Sequence, residues 1–465
     1  MIRITTFAGR NVAVFGLARS GIVAAQALRE GGATVACWDD GEGGRAAAAA
    51  AGLPLVDLSQ ADWSGFAALV LAPGVPLTHP RPHWTVDKAK AAGVEIIGDI
   101  ELFFRERARS CPECPVIAIT GTNGKSTTTA LIAHILKSAG KDVQMGGNIG
   151  VGVLSLEPPA PDRYFVIEMS SFQIDLTPSL HPTVGVLTNI TPDHLDRHGS
   201  METYAAVKEK LVSGADNSVL GIDDVWSSKS SQFLTDCNKI HLRISTKSQA
   251  DIYLRDGKLF GSDGTSSTEI ADLNGIGSLR GAHNGENAAA AFAAMTLLHI
   301  PVEAVVAGFK SFPGLAHRLE ELGYVGRAVI VNDSKGTNAD STEKALLSFA
   351  AGSIYWIAGG VPKEGGIEPL APYFNRVAKA YLIGQCAPDF AVTLAGKVPF
   401  EMCGTMEVAL QQAVRDTAAS SATEPVVLLS PACASYDQYK SFEHRGDHFR
   451  ALAEALPGFT KKAHA

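Results

Sequence analysis

The chain lacks any long apolar run. None of its hydrophobic stretches reaches the roughly 18 residues that a membrane-spanning helix requires. The first residues, MIRITTFAGRNVAVFGLARSG, have neither a long apolar segment nor the small-residue cleavage site of an export signal. The sequence therefore predicts a cytoplasmic protein with no membrane insertion.

An excess of basic residues is also missing. Lys and Arg together number 40 against 48 Asp and Glu, so the formal net charge is -8 at pH 7. Surfaces that bind nucleic acid are strongly basic, because they must neutralise phosphates. We therefore expect no nucleic-acid partner, although a local basic pocket for a small anion is compatible with this charge.

Cysteine is scarce. The chain of 465 residues has seven, an odd number that suits a reducing compartment. Cys111 and Cys114 form a C-x-x-C motif, but a zinc site would need a second pair and the other cysteines stand alone. Pro112 lies within the motif and Pro115 follows it, and we interpret the stretch as a connecting segment with incidental cysteines near a domain boundary.

What the sequence has in abundance is a repeated order of apolar strand, glycine turn and helix. The first cycle predicts a strand over 12–15, a helix through Arg29 and a second strand over 34–38. Later cycles contain YFVIEMSSF, TVGVLTNI, AVIVNDSKGTN, SIYWIAGG and PVVLLSPA. Parallel strands with helical crossovers are typical of doubly wound sheets. The sequence predicts an α/β protein with three domains in series.

The stretch VIAITGTNGKSTTTALIAHIL has the order of a phosphate-binding loop. Its spacing differs from the usual G-x-x-x-x-G-K-[ST], since Ile119 stands where the first glycine would be and the glycine present is Gly121. Backbone amides after the strand and the dipole of a helix starting near Lys125 could hold an anion. A simple capped turn is the alternative, but a turn needs no lysine followed by a run of four hydroxyl residues.

Polar residues at two further strand ends could complete such a site. Glu168 ends an apolar strand, and His194 lies in LTNITPDHLDRHG after another. Mg²⁺ prefers oxygen ligands and keeps several waters, which suits Ser126 and Glu168. His194 could support a second Mg²⁺, although a lone histidine near a turn is usually a surface or capping residue.

Four segments, GTNGKST, EMSSFQ, TNITPDHLDRH and GAHNGENAAAA, resemble the ATPase domain of the Mur ligase family. The family's phosphate loop has this shorter spacing. The resemblance implies a Rossmann-like N-terminal domain, a central P-loop-type ATPase domain and a Rossmann-like C-terminal domain. It also implies that a carboxylate is joined to an amine through an acyl phosphate, with ATP as co-substrate and two Mg²⁺ ions.

Two C-terminal stretches, NDSKGTN and SPACASYDQYKSFEHRG, are similar to those of family members that add D-glutamate to UDP-N-acetylmuramoyl-L-alanine in peptidoglycan precursor synthesis. GLARSG and APGVP resemble loops that hold the UDP moiety. Ala72 and Gly336 depart mildly from the common pattern. A sibling ligase using another amine is the alternative. The resemblance implies a monomer with a UDP-substrate domain at 1–106, an ATP-binding domain at 107–313 and an amino-acid-binding domain at 314–465.

A dinucleotide-binding dehydrogenase is the rival interpretation of the N-terminal loop. Gly16 and Gly21 match the outer glycines of G-x-G-x-x-G, and Asp39 lies near the expected acidic position. Ala18, however, stands where a dinucleotide site needs the close approach that glycine allows. We therefore favour a uridine diphosphate at this loop.

The resemblance transfers roles residue by residue. For the UDP substrate the positions are Arg19, Ser20, Asp39, Asp40, Gly74, Asn148 and Ser170. For ATP they are Gly121, Thr122, Asn123, Gly124, Lys125, Ser126, Thr127, Asn284, Asn287, Arg318 and Asp333. For D-glutamate they are Lys335, Thr337, Lys363, Ser435 and Phe442. The catalytic set is Lys125, Glu168, His194 and Lys208, and the metal set is Ser126, Glu168, His194 and carbamylated Lys208.

The carbamylated lysine is implied by the family pattern Y-x-x-x-K. In YAAVKEKL this pattern selects Lys208, four residues after Tyr204 and so on the same helical face. Lys210 is a rival on its spacing from the Asp-His-Leu-Asp turn. The lysine of this pair that is not modified, Lys208 or Lys210, should be an ordinary solvated helix residue.

Overall fold

Three β-sheets organise the chain. The structure is a computed structural model that describes residues 1–362 and 365–462. The sheets contain four, nine and seven strands, each with helical connections, which confirms the predicted α/β class. By their contacts the residues form two compact units, Met1–Ala271 with Glu286–Gly308, and Asp272–Gly285 with Phe309–Ala465. The predicted domain limits at 106/107 and 313/314 remain predictions.

The first sheet is parallel throughout and has the strand order β2-β1-β3-β4. Its strands are β1 (Asn11–Phe15), β2 (Thr34–Trp38), β3 (Ala68–Leu71) and β4 (Glu95–Ile97). The accompanying helices are α1 (Arg19–Glu30), α2 (Glu42–Ala50), α3 (Trp84–Ala91) and α4 (Asp99–Ser110), with short 3₁₀ turns at Thr5–Phe7 and Trp63–Gly65. The predicted first strand, helix and second strand are confirmed. Valine, leucine and alanine fill these strands because both sheet faces are covered.

The second sheet has the order β13-β12-β11-β10-β9-β8-β5-β7-β6. Its strands are β5 (Val116–Thr120), β6 (Asp142–Gly147), β7 (Arg163–Glu168), β8 (Val184–Leu187), β9 (Asn217–Gly221), β10 (His241–Ser245), β11 (Ile252–Arg255), β12 (Lys258–Ser262) and β13 (Ser267–Asp272). The helices are α5 (Lys125–Ser138), α6 (Ser171–Asp175), α7 (Leu195–His198), α8 (Met201–Ser213) and α9 (Val225–Asp236), with a 3₁₀ turn at Val153–Ser155. Strand β5 pairs in parallel with both β7 and β8, so the loops after these three strands emerge at one edge.

Helices α10 (Ala282–Leu297) and α11 (Val302–Ser311) follow, after a 3₁₀ turn at Gly277–Leu279. The third sheet then has the order β18-β17-β16-β19-β15-β14-β20. Its strands are β14 (Glu320–Val325), β15 (Ala328–Asn332), β16 (Ile354–Gly359), β17 (Val377–Ile383), β18 (Phe400–Gly404), β19 (Val426–Leu429) and β20 (Phe459–Lys461). Its helical segments are α12 (Ala339–Leu347), a 3₁₀ segment at Glu368–Arg376, α13 (Ala387–Leu394), α14 (Met406–Thr417) and α15 (Phe442–Glu454). The first five strands in this order, β18 to β15, are parallel, and β14 runs antiparallel to both of its neighbours.

The segment between α4 and β5 is packed into the protein. The Arg107 guanidinium donates two hydrogen bonds to the Cys114 carbonyl, at 3.0 and 2.8 Å. Cys111 and Cys114 are both buried and both are free thiols. The predicted connecting segment is therefore fixed by Arg107. Among the residues that the structure describes, no helix is long and apolar enough to span a bilayer.

Candidate active site

The phosphate loop runs from the end of β5 to the start of α5, where the sequence predicts a helix to begin. Gly124 is left-handed (φ 83°) and immediately precedes Lys125, the first residue of α5. A Cβ atom at Gly124 would lie 2.3 Å from Asn287 Oδ1, and one at Gly121 would lie 1.9 Å from Thr188 Oγ1. Both positions therefore require glycine, and the loop backbone follows a path that no other residue allows.

Two residues after β8 hold this loop from outside. The Asn189 carbonyl accepts a hydrogen bond from the Thr122 amide (2.8 Å), and Asn189 Oδ1 accepts one from the Asn123 amide (2.9 Å). Thr188 Oγ1 donates to the Asn123 carbonyl at 2.6 Å. Thr188 and Asn189 therefore support the loop, a role that was not predicted, although the polar TNIT stretch after a strand was a signal for it.

Lys125 lies over the loop. Its Nζ donates to the carbonyls of Gly121 (3.0 Å) and Thr122 (2.8 Å). Ser126 and Thr127 occupy the first turn of α5, where the amides of a helix N-terminus are available to an anion. The predicted ATP residues 121–127 are thus brought together, with Asn287 of α10 reaching Thr128 Oγ1 at 3.1 Å.

Lys208 lies under the same loop. It is buried, and its Nζ donates to the Gly121 carbonyl at 2.7 Å and to Thr120 Oγ1 at 3.2 Å. Burial, followed by repulsion from Lys125, holds the Lys208 pKa well below its ordinary value. A neutral amine is the form that reacts with CO₂. Its rival, Lys210, is exposed and pairs with Asp175 at 2.8 Å.

Glu168 has one carboxylate oxygen without a partner. Asn148 Nδ2 donates to Oε1 at 2.7 Å, whereas Oε2 is buried and makes no hydrogen bond to any residue that the structure describes. A buried anionic oxygen of this kind is destabilised unless a cation compensates it. The orphaned oxygen therefore fits an ion such as Mg²⁺. No group of three or more His, Cys, Asp and Glu side chains forms a metal site within residues 1–362 and 365–462.

His194 is left-handed (φ 52°) at the start of α7. Its ring lies 5.0 Å from the Phe172 ring, and its Nε2 is 3.4 Å from Asp193 Oδ2. The side chain is 48% exposed, so the imidazole is accessible to a substrate. Its described contacts hold it at the loop after β8 without joining it to Glu168.

The predicted UDP residues of the first sheet make contacts within the protein. Asp39 accepts from the amides of Leu17 (2.6 Å) and Gly41 (2.7 Å), and so shapes the glycine loop itself. Arg19 donates to the Gly150 carbonyl at 3.0 Å. Ser20 lies in the first turn of α1. These contacts bring the loop after β1 next to the segment after β6.

Asp40, Gly74 and Ser170 also have partners. His83 Nε2 and Trp84 Nε1 contact the Asp40 carboxylate at 3.0 and 3.3 Å. The Gly74 carbonyl accepts from Arg197 at 3.1 Å. Ser170 caps α6 in a reciprocal arrangement with Gln173, a motif readable as SSFQ.

The second compact unit holds the remaining predicted residues. Asp333 is buried after β15, accepts from Ser430 Oγ at 2.7 Å, and has its pKa raised by burial to about 7. Lys335 Nζ lies 3.9 Å from the Phe442 ring centroid. Asn284 Nδ2 donates to the Arg280 carbonyl at 2.9 Å.

Ser435 is buried, and its carbonyl accepts from the Tyr439 amide at 2.8 Å. Thr337 precedes α12, and Arg318 lies between Leu315 and β14. Lys363 lies outside the described residues. Arg445 was not predicted: its buried guanidinium donates from Nε to Ser334 Oγ at 3.0 Å, and its Nη1 has no partner among the described residues.

The chain is similar to known proteins over almost its full length. Residues 119–295 match the Mur ligase middle domain. A UDP-N-acetylmuramoylalanine–D-glutamate ligase of Brucella abortus is 57% identical over 460 residues, covering 98% of each chain. The ligase of the same name from Nitrobacter hamburgensis is 56% identical over 468 residues, covering 100% of both. The chain belongs to the Mur ligase family.

Solved Mur ligases share the fold at low sequence identity. UDP-N-acetylmuramate–alanine ligase from Thermotoga maritima has a TM-score of 0.56 and 18% identity, covering 96% of this chain and 99% of the other. A UDP-N-acetylmuramoyl-L-alanyl-D-glutamate–2,6-diaminopimelate ligase also has a TM-score of 0.56, at 17% identity over 96% of this chain and 92% of the other. At this identity these structures support only the shared fold. The similarity to D-glutamate ligases rests on the full-length relatives.

Proposed function

We propose that the protein is an ATP-dependent ligase that adds D-glutamate to UDP-N-acetylmuramoyl-L-alanine, releasing ADP and phosphate, in the synthesis of peptidoglycan precursors. One observation supports the chemistry. Lys125 and Lys208 both donate to the Gly121 carbonyl of the glycine loop, and the chain belongs to a family that is ATP-dependent and uses Mg²⁺. The choice of substrates rests on the full-length relatives at 54–57% identity.

The reaction needs a better leaving group on the acceptor carboxylate. A carboxylate would have to expel oxide, so transfer of the γ-phosphoryl group first makes an acyl phosphate, from which phosphate can leave. The D-glutamate amine then attacks the acyl carbon, and the tetrahedral oxyanion collapses to an amide. Phosphoryl transfer of this kind is promoted chiefly by positioning and by neutralising charge.

The central residues divide that task. The loop amides of 121–127 and Lys125 hold the ATP phosphates, with Asn284, Asn287, Arg318 and Asp333 as further nucleotide contacts. Ser126, Glu168, His194 and carbamylated Lys208 would hold two Mg²⁺ ions. Bound Mg²⁺ supplies positive charge that offsets the charge of the phosphates. The partnerless Glu168 Oε2 and the low pKa of Lys208 both support this assignment.

The substrate-binding roles follow the sequence prediction. Arg19, Ser20, Asp39, Asp40, Gly74, Asn148 and Ser170 would bind or shape the UDP-substrate site. Lys335, Thr337, Lys363, Ser435 and Phe442 would bind D-glutamate, whose two carboxylates suit cations and hydroxyls. We further propose that the protein is a cytoplasmic monomer with domains at 1–106, 107–313 and 314–465.

The test is phosphate release from MgATP and UDP-N-acetylmuramoyl-L-alanine, with and without D-glutamate, with the product identified by mass spectrometry. We expect release that depends on D-glutamate and a product heavier by one glutamyl residue. L-Glutamate, L-alanine and a diamino acid serve as control amines.

Turnover with one of these control amines and none with D-glutamate would move the protein to a sibling Mur ligase activity. Absence of turnover with every amine, for a protein that still binds MgATP, would contradict the proposal and leave only the nucleotide site.

A further inference from the structure

Two buried cysteines meet beside the loop that carries Ser435. Cys386 lies immediately before α13, Cys433 lies four residues after β19, and the two Sγ atoms are 3.1 Å apart. Both are free thiols with no exposed surface. A disulfide bond has a length of about 2.05 Å, so the pair is roughly 1 Å from bonding distance.

The surrounding backbone holds both cysteines against one short segment. The Cys386 amide donates to the Gly360 carbonyl at 3.0 Å, and the Val361 amide donates to the Ala434 carbonyl at 2.9 Å. On the other side, the Ala432 amide donates to the Gly336 carbonyl at 2.8 Å. Backbone hydrogen bonds on both sides therefore hold the two cysteines next to each other.

The two thiols are chemically unequal. A hydrogen bond from the Cys433 thiol lowers the pKa of Cys386, and the same bond, followed by burial, raises the pKa of Cys433. The thiolate is the reactive form of cysteine, and positions at helix N-termini favour it. Cys386 is therefore the sulfur that reacts first, and Cys433 is the one that resolves the product.

We propose that Cys386 and Cys433 form an oxidisable pair that closes to an intramolecular disulfide on reaction with a small peroxide. In the first step the Cys386 thiolate attacks a peroxide oxygen, which breaks the O–O bond and gives a sulfenic acid and water after proton uptake. In the second step Cys433 attacks the sulfenic sulfur, loses its proton and releases a second water. One peroxide thus accepts the two electrons that the sulfurs lose.

Closing the disulfide moves the segment before Ser435. The Cys433 carbonyl accepts from Arg445 Nη2 at 3.1 Å, and Asp437 on the same loop accepts from the Gln385 amide at 2.9 Å. A contraction of about 1 Å between the sulfurs displaces these contacts. The expected consequence, which rests on the proposed function, is a weakened D-glutamate site.

The first measurement is peptide mapping of the full-length protein after treatment with hydrogen peroxide. We expect a peptide pair linked through Cys386 and Cys433 that separates on reduction with dithiothreitol and is absent from Cys386→Ser and Cys386→Ala. Cys237, the exposed cysteine, reports that the oxidant was effective. Oxidised Cys237 with no Cys386–Cys433 link in the wild type would overturn the proposal.

The second measurement is ligase activity before and after the same treatment, with Cys237→Ser as the background. We expect kcat/KM for D-glutamate to fall by about tenfold or more, since a displacement of about 1 Å can cost up to a hundredfold. Dithiothreitol should restore it, and Cys386→Ser should keep its activity throughout. A linked protein with unchanged D-glutamate kinetics would refute the effect on the site. A reduced protein without ligase activity would refute the proposed function, while the peptide map still decides the disulfide.

Discussion

Two lysines donate to the same carbonyl oxygen in the nucleotide site. Lys125 and Lys208 both contact Gly121 O, at 3.0 and 2.7 Å, yet their surroundings differ. Lys125 belongs to the first turn of α5 and is partly accessible, whereas Lys208 is buried. The same residue type therefore stands in two different environments around one loop, and burial and repulsion from Lys125 hold the pKa of Lys208 well below its ordinary value.

Replacing Lys208 by Ala should nearly abolish activity, with a loss in kcat/KM of about a hundredfold or more, because loss of an outer-shell partner of a metal ligand alone costs about 10- to 100-fold. Short carboxylic acids such as acetate should restore part of the activity, because they replace the carboxylate of the carbamate. The measurement is steady-state phosphate release with and without added acid. Lys210→Ala is the matched control: this lysine is exposed and pairs at the surface, so its loss should change activity little. Full activity in Lys208→Ala would disprove the assignment.

Asp99 makes stability depend on pH. Burial raises its pKa from 3.8 to about 6. The native state therefore keeps a proton that the unfolded state loses above about pH 4, and the free energy of unfolding falls between about pH 4 and 6 and remains lower above that range. A pKa rise of this size corresponds to about 3 kcal/mol.

Asp99→Asn should remove this fall, so that the variant matches the wild type near pH 4 and exceeds it at pH 7 by up to about 3 kcal/mol. Urea unfolding across this pH range measures the difference. Asp57→Asn is the control. Hydrogen bonds to Ser59 lower the pKa of this exposed carboxylate, so its replacement should not remove the fall in the free energy of unfolding between about pH 4 and 6. A parallel pH dependence for Asp99→Asn and the wild type would contradict the expectation.

At the scale of elements, local patterns predicted structure where the sequence has a strong apolar period or a clear helix-start signature. GTNGKST marks the start of α5 because a left-handed glycine and a helix N-terminus leave a local signature. The β12–β13 extension of the second sheet was not predicted, since its strands, KLFGS and STEIAD, have no strong apolar pattern.

The contacts that sequence could not supply are distant in the chain. Cys386 and Cys433 are 47 residues apart, and only the parallel order of the third sheet brings them together. Likewise, the hydrogen bond from the Leu17 amide to Asp39 depends on the pairing of β1 with β2. Sequence spacing can indicate which residues are reactive or bind ligands, but tertiary structure determines which partner each residue contacts.

Helix α5 has left-handed glycines at both ends, which allows a matched test of the phosphate loop. Gly124 (φ 83°) precedes the helix and Gly140 (φ 75°) follows it. Alanine in this conformation costs about 1–2 kcal/mol at either site. Only at Gly124 would the new Cβ meet a neighbour, Asn287 Oδ1 at 2.3 Å, whereas none lies within 4 Å at Gly140.

Gly124→Ala should therefore raise the KM for ATP by about tenfold or more, a change of about 1.4 kcal/mol. Gly140→Ala should lower thermal stability to a similar degree and leave the KM for ATP unchanged. Kinetics and thermal unfolding of both variants provide the comparison. Equal ATP kinetics in the two variants would show that the loop conformation does not determine nucleotide binding.

At the scale of the whole molecule, the residues assigned to the two substrates belong to two compact units. The phosphate loop, Glu168 and Lys208 belong to the unit that contains Met1–Ala271. The described residues assigned to D-glutamate, among them Lys335, Ser435 and Phe442, belong to the unit that contains Phe309–Ala465. Each substrate should therefore leave its own pattern of protection on the full-length protein.

Hydrogen exchange of the full chain can separate these patterns. A non-hydrolysable MgATP analogue should slow exchange of the amides in 116–138 and 184–194, because it orders the loop amides and their supports at Asn189. Adding D-glutamate should slow exchange in 333–337 and 430–445, and L-glutamate at the same concentration serves as the control. Ser435→Ala should weaken the D-glutamate effect and preserve the nucleotide effect. D-Glutamate protection confined to 116–138 would place the amine site in the nucleotide-binding unit and overturn the assignment of Ser435 and Phe442.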